Sequence, residues 1–133
     1  MPLHIIKLCV GCDSVEDLES WIAMHSGHVH VTRMKPSRRD EILAGGSLYW
    51  VIKGAVMCRE TILDLREETG ADGIVRCAIV LSGKPVRTRP HPKRPFQGWR
   101  YLTAADAPPD LKTGEGDDLP EGLQRELASL GLL

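Results

Sequence analysis

The chain has 133 residues, 42% of them hydrophobic and 26% charged, a composition that fits one ordinary globular domain with a real core and excludes a disordered chain. No apolar run approaches the roughly 18 residues of a membrane helix, and the opening Met-Pro-Leu-His-Ile-Ile-Lys lacks a secretory pattern, so a cytoplasmic protein with no membrane partner is expected. The net charge of −1 conceals a partition: residues 33–100 hold 14 basic and seven acidic side chains, and residues 73–100 hold seven basic ones and no acid.

His4–Val10 (HIIKLCV) is a short, partly β-branched apolar run, predicted as a strand that ends at Gly11. Ser14 or Asp13 then caps a helix with Glu16 and Asp17 in its first turn, where acids complement the helix dipole. Val15, Leu18, Trp21, Ile22 and His25 recur at helical spacing, which predicts a core position for Trp21. Cys9 and Cys12 form a C-x-x-C, the spacing of a redox pair or of half a zinc site. Cys9 falls inside the apolar run, however, and Cys58, Cys77 and the histidines supply no second close cysteine pair. Small buried hydrophobes in a reducing compartment are therefore expected, with no metal and no cofactor.

His28–Met34 alternates as a strand does, with His28, His30 and Thr32 on one face and Val29, Val31 and Arg33 on the other. The two histidines lack a neighbouring carboxylate or cysteine in sequence, so they are read as facing solvent or a ligand. In Lys35–Gly46, Ser37 can cap a short helix, Asp40 can return the bond, and Gly45 can close it. Arg38 and Arg39 oppose the dipole at that helix start, a placement that makes sense if they hold an anion. The plain alternative is that Asp40 and Glu41 pair with them.

Gly46–Glu60 (GSLYWVIKGAVMCRE) is apolar on both faces until its charged ends, which predicts a central strand with Gly54 as a bulge or bend. Trp50 is then core, while Tyr49, Lys53 and Arg59 share the opposite face and can reach a ligand. Thr61–Glu68 suits either a helix or a continuation of that strand. Gly70–Gly73 is a turn, and Ile74–Leu81 is a strand with Val75, Cys77, Ile79 and Leu81 on one face.

Residues 84–101 crowd basic side chains, four prolines and three aromatics into one arm. The prolines favour an extended, preorganised backbone, an edge strand or an ordered loop, from which Arg87 and Arg89 project to the same side. Trp99 and Tyr101 are either anchors that pin the arm or platforms on which a base stacks. Residues 112–118 read as an acidic, glycine-rich linker. Residues 119–133 read as a C-terminal helix with Leu119, Leu123, Leu127 and Leu130 in a stripe.

The blocks HVTRMKPSRRDEILAGGSLYWVIKG and RPFQGWRYL, with the ensuing ADAPPDL, resemble a family of small alphaproteobacterial proteins catalogued as a domain of unknown function, over most of residues 4–111. A second likeness is one of layout. Lys35-Pro36, Ile42–Gly45 and Leu48–Lys53 follow the order of lysine-proline pair, short helix and strand that lines the ligand groove of PUA-like and ASCH domains, which bind RNA or modified bases. Gly46-Ser47-Leu48 stands where such domains often carry a lysine.

The fold class expected is α+β: a single domain over residues 1–111 with a curved, mixed or mainly antiparallel sheet, a PUA-like small barrel being one form of it, and two or three helices besides the C-terminal one. The chain lacks G-x-S-x-G, a Walker loop and G-x-G-x-x-G. Its expected function is to bind nucleic acid or a nucleotide. Arg33, Lys35, Arg38, Arg39, Lys53, Arg87, Arg89, Lys93, Arg94 and Arg100 would meet phosphates, with Tyr49, Tyr101 or Trp99 as a stacking surface. Two alternatives stay open: a small enzyme acting on a phosphate-bearing or acidic substrate, with Glu41, Glu60, Asp64 and the histidines as its acid/base set, and a protein-interaction module. The sequence leaves the oligomeric state open.

Overall fold

The computed structural model describes residues 2–25 and 27–111; the linker and C-terminal helix expected over 112–133 lie outside the described residues. In chain order the elements are β1 (His4–Leu8), α1 (Val15–His25), β2 (His28–Thr32), α2 (Arg39–Leu43), β3 (Ser47–Ile52), β4 (Ala55–Thr69), β5 (Val75–Leu81), β6 (Val86–Pro92) and β7 (Trp99–Leu102). Seven strands form one mixed sheet in the order β2-β5-β4-β3-β1-β7, with β6 also on β4. Among the described residues, β1 pairs with β3 in parallel and the other pairings are antiparallel. The sheet is open, so the barrel form of the expectation does not hold. Among the described residues, no helix is long and apolar enough to cross a membrane.

The long strand β4 organises this sheet. Lys53 and Gly54 both have positive φ, 47° and 83°, and make the two-residue turn of a hairpin between β3 and β4. Gly54 is therefore not a bend within one strand, as its place in an apolar run predicts. Thr61–Glu68 continues β4, which reaches 15 residues. Register shifts at Met57 and Leu63 let so long a strand curve. Along one edge of β4, β5 pairs with Ile62–Thr69 and β6 with Ala55–Arg59, and the chain leaves that edge between them at Ser82–Pro85. β3 lies on the other edge, opposite Ala55–Thr61.

Each face of the sheet has its own core. Val15, Leu18 and Ile22 of α1 and Ile42 of α2 pack with Ile5, Leu48, Trp50, Ile52, Ile62 and Ile79. On the opposite face Ile6, Tyr49, Val51 and Val56 are covered by Phe96, Leu102 and Ala107. The α1 cap is as expected, with the Ser14 hydroxyl accepting from the Asp17 N–H at 3.1 Å. The short α2 differs: Arg38 holds its cap position with no side-chain bond, and Ser37 turns away to Tyr101. Trp21 differs too. It is 41% exposed, because α1 buries Val15, Leu18 and Ile22 and leaves the indole at the edge of that stripe.

Candidate functional site

The basic arm folds as β6 and the loop that follows it, and its outer edge is closed by chain: Arg89 N–H donates to Pro109 O and Leu111 N–H to Arg87 O, both at 2.9 Å. β7 then returns the chain along β1, where Trp99 faces Lys7 and Arg100 faces Ile6. The alternation of a strand sends Trp99 into the α1-side core and Arg100 to the opposite face. A groove of about 670 Å³ opens on that face, lined by His91, Lys93, Arg94, Phe96, Arg100 and Tyr101, with Asp106 as its acidic member. Lys93 and Arg100 lie 5.9 and 5.7 Å from the centre of the Phe96 ring.

The charges named from sequence divide sharply by partner. Lys35 pairs with Glu67, Arg38 with Glu41 at 2.6 Å, Arg39 with Asp64 at 3.1 Å and Lys53 with Asp13 at 3.6 Å. Arg87 pairs with Glu16 and Glu19 of α1 at 2.9 and 3.7 Å. Arg33 is exposed on the segment after β2 and does not line the groove. Among the described residues, Lys93, Arg94 and Arg100 make no ion pair, and these three share the groove. The two arginines at the start of α2 are thus both paired, Arg38 with Glu41 of the same helix, as the plain alternative had it, and Arg39 with Asp64 of β4; the aromatic side chain on the groove is Phe96, with Tyr101 at its border.

Tyr49 and Trp99 do not offer stacking faces. Tyr49 is buried against the His4 ring, 5.1 Å away edge to face. Trp99 is buried as an anchor, its indole N–H donating to Met34 O at 2.6 Å. Tyr101 is the hinge of this region: its hydroxyl accepts from the backbone N–H of Ser37 at 3.0 Å and of Arg38 at 3.3 Å, and the Arg38 guanidinium lies 5.7 Å from its ring centre. Residues 34–38 and 99–101 therefore meet, but through backbone and aromatic contacts.

The carboxylates proposed as an acid/base set are held by separate partners: Glu41 by Arg38, Asp64 by Arg39 and Arg66, and Glu60 by His28. Glu60 is fully buried. Its Oε2 meets His28 Nδ1 at 2.6 Å and accepts from the Trp50 indole N–H at 2.8 Å, while Oε1 accepts from Gly83 N–H at 3.1 Å. Both oxygens are thus engaged at the break between β5 and β6. The histidine face of β2 accordingly points inward, His28 stacking on Trp50 at 5.4 Å, and Val29 and Val31 are the exposed side.

Beside this network lies a smaller cavity of about 230 Å³, lined by Lys7, Cys9, Cys12, Trp21, His30 and Trp50 among others. No group of three or more His, Cys, Asp or Glu among the described residues is placed to hold a metal ion. Burial, helped by Lys7 and His28, lowers the His30 pKa from 6.5 to about 4, and its Nε2 has no hydrogen-bond partner among the described residues. The folded state then binds fewer protons than the unfolded chain between those two values, so stability rises with pH through that window. His4 shifts in the same direction through burial and Arg59. The expected melting temperature falls as pH is lowered from about 6.5 towards 4, and His30→Gln flattens part of that slope in a pH series of thermal melts.

A family model described as "Protein of unknown function (DUF1489)" matches residues 5–133. The chain belongs to that family. The match takes in the described strands from Ile5 of β1 onward and α1 and α2, so the groove and the cavity of this DUF1489 chain both lie within the family's span. No curated protein and no solved structure matches the chain.

Proposed function

We propose that this DUF1489 chain binds nucleic acid or a nucleotide along the groove between β6 and β7. The observation that carries the reading is that Lys93, Arg94 and Arg100, which make no ion pair among the described residues, line one concave surface together with Phe96, with Tyr101 at its border. Unpaired cations around a concavity attract phosphate by field and by counterion release, and an aromatic lining adds a sequence-tolerant stacking contact. His91 lines the same groove and can donate a further hydrogen bond to a phosphate.

Fluorescence anisotropy of labelled mixed-sequence single-stranded RNA and DNA, across a salt series, tests this. Affinity should fall steeply with salt, by a slope of roughly 0.7 per phosphate neutralised. Replacing Arg94 and Arg100 together by Ala should remove roughly 1.4 from that slope. Arg76→Ala should leave it unchanged, because Arg76 is already paired with Asp72 at 2.8 Å. Phe96→Leu, which keeps an apolar side chain over Ile6, Tyr49, Val51 and Val56, should weaken binding while sparing the slope. Absence of binding to either polymer and to nucleoside triphosphates at low salt would overturn the proposal.

A further inference from the structure

The β1–α1 connection is a tight turn, Cys9-Val10-Gly11-Cys12. The Cys12 N–H reaches Cys9 O at 3.4 Å and Gly11 takes φ of +85°. Such a turn, with a left-handed glycine at its third position, folds the first and fourth residues back on each other. The result is that the two sulfurs lie 2.6 Å apart. Cys9 N–H is also fixed to Val51 O at 2.9 Å, so the turn is anchored to β3. Val10, at the tip, is exposed.

Cys58 and Cys77, by contrast, are buried in the core as small hydrophobes. Cys9 and Cys12 are half-buried and open onto the cavity lined by Trp21, His28, His30 and Trp50. Position within the first apolar run argues from sequence for inert packing of Cys9. The turn changes that, because it brings a second thiol to the first at a cavity wall.

We propose that Cys9 and Cys12 are a reversible dithiol–disulfide couple that exchanges with a disulfide delivered to this cavity, the co-reactant being a low-molecular-weight or protein disulfide. A disulfide bond of about 2.05 Å is reached from the observed separation by a shift of roughly half an ångström. Burial pushes the Cys9 thiol up, which assigns the entering role to Cys12. Cys12 thiolate attacks one sulfur of the incoming disulfide, and the first thiol leaves, taking a proton. Cys9 then attacks Cys12 Sγ in the mixed disulfide, loses its own proton, and expels the second thiol. Two protein thiols have given up two hydrogens and two electrons, and one external disulfide has become two thiols.

The test uses the full chain, first reduced, then equilibrated with excess oxidised glutathione and quenched with acid. The expected product has lost two of its four free thiols, has lost about 2 Da, the two hydrogens of the balanced step, and yields a Cys9–Cys12 linked peptide on digestion. Tryptophan emission should change in step and recover on reduction, since Trp21 and Trp50 line the same cavity. Cys58→Ser with Cys77→Ser should behave as the parent chain. Cys9→Ser should stop at one bound glutathione on Cys12. Retention of all four thiols, glutathione adducts without an intrachain bond, or a bond involving Cys58 or Cys77 would each overturn the proposal. None of these readings depends on whether the groove binds nucleic acid.

Discussion

Glu60→Leu should lower the free energy of unfolding by about 3–5 kcal/mol, the cost of leaving several buried hydrogen-bond donors without their shared acceptor. The leucine fills a similar volume, so cavity formation contributes little. What remains is the His28 ring nitrogen, the Trp50 indole N–H and the Gly83 N–H, all of which met the lost carboxylate. Each donor left without an acceptor in the interior costs on the order of 1–3 kcal/mol. The Gly83 contact also holds the chain where it leaves β4 between β5 and β6, so its loss frees the start of the basic arm. In urea, the midpoint should fall while the slope stays unchanged, and thermal melts should drop by roughly 10–20 °C. A double cycle with His28→Leu separates the pair from general repacking. The double variant should recover roughly 1–3 kcal/mol relative to the sum of the two single ones. Additivity within a few tenths of a kcal/mol would show that Glu60 and His28 act independently.

Glu60 also marks where the sequence was readable and where it was not. The strands at Ile5 and Val75 and the helix at Val15 announce themselves through local alternation and helical spacing, and the structure has them there. The run from Gly46 to Glu60 is apolar on both faces, and such a run carries no period to reveal a hairpin; the Lys53-Gly54 pair was the signal for the turn. With the turn missed, Glu60 reads as the charged end of a strand. With the turn placed, it falls in the middle of β4 beside the buried Cys58 and Ile62, and an acid there calls for a partner. The partner explains β2, whose alternation defines two faces without saying which is inside. The histidine face goes in because a carboxylate waits there.

The same limit applies to the groove. A basic, proline-rich, aromatic arm was legible in residues 84–101, including the anchoring role open to Trp99. Which of its charges are spoken for was not, because the partners lie far along the chain. Arg87 meets Glu16 across 71 residues, Lys35 meets Glu67 across 32 and Arg39 meets Asp64 across 25. Tertiary pairing of this kind leaves no local pattern. It removes Arg87, Lys35 and Arg39 from the proposed phosphate contacts and leaves Lys93, Arg94 and Arg100 in them.

Gly46→Ala should be the most damaging of the glycine substitutions. A Cβ built there would lie 2.2 Å from Leu3 O and 2.5 Å from Ile42 O, and both are backbone atoms that cannot swing aside as a side chain does. Gly46 N–H donates to Ile42 O at 2.7 Å, and Gly46 O accepts from Ile62 N–H at 3.0 Å, so the residue ties the end of α2 to the middle of β4 with the chain before β1 pressed against it. Relief requires separating these elements, which opens the core around Ile42 and Leu48. Overpacking costs typically 1–3 kcal/mol when side chains can adjust, and a fixed backbone on two sides places Gly46→Ala at about 3 kcal/mol or above. Gly45 provides the contrast. Its φ is +112°, but its Cβ would meet nothing nearer than Pro2 at 3.9 Å. Gly45→Ala therefore loses only the roughly 1–2 kcal/mol of a left-handed backbone. Urea denaturation of the two variants decides the matter: equal losses would mean that conformation alone, and not the contact of three backbone segments, requires glycine at this corner of the sheet.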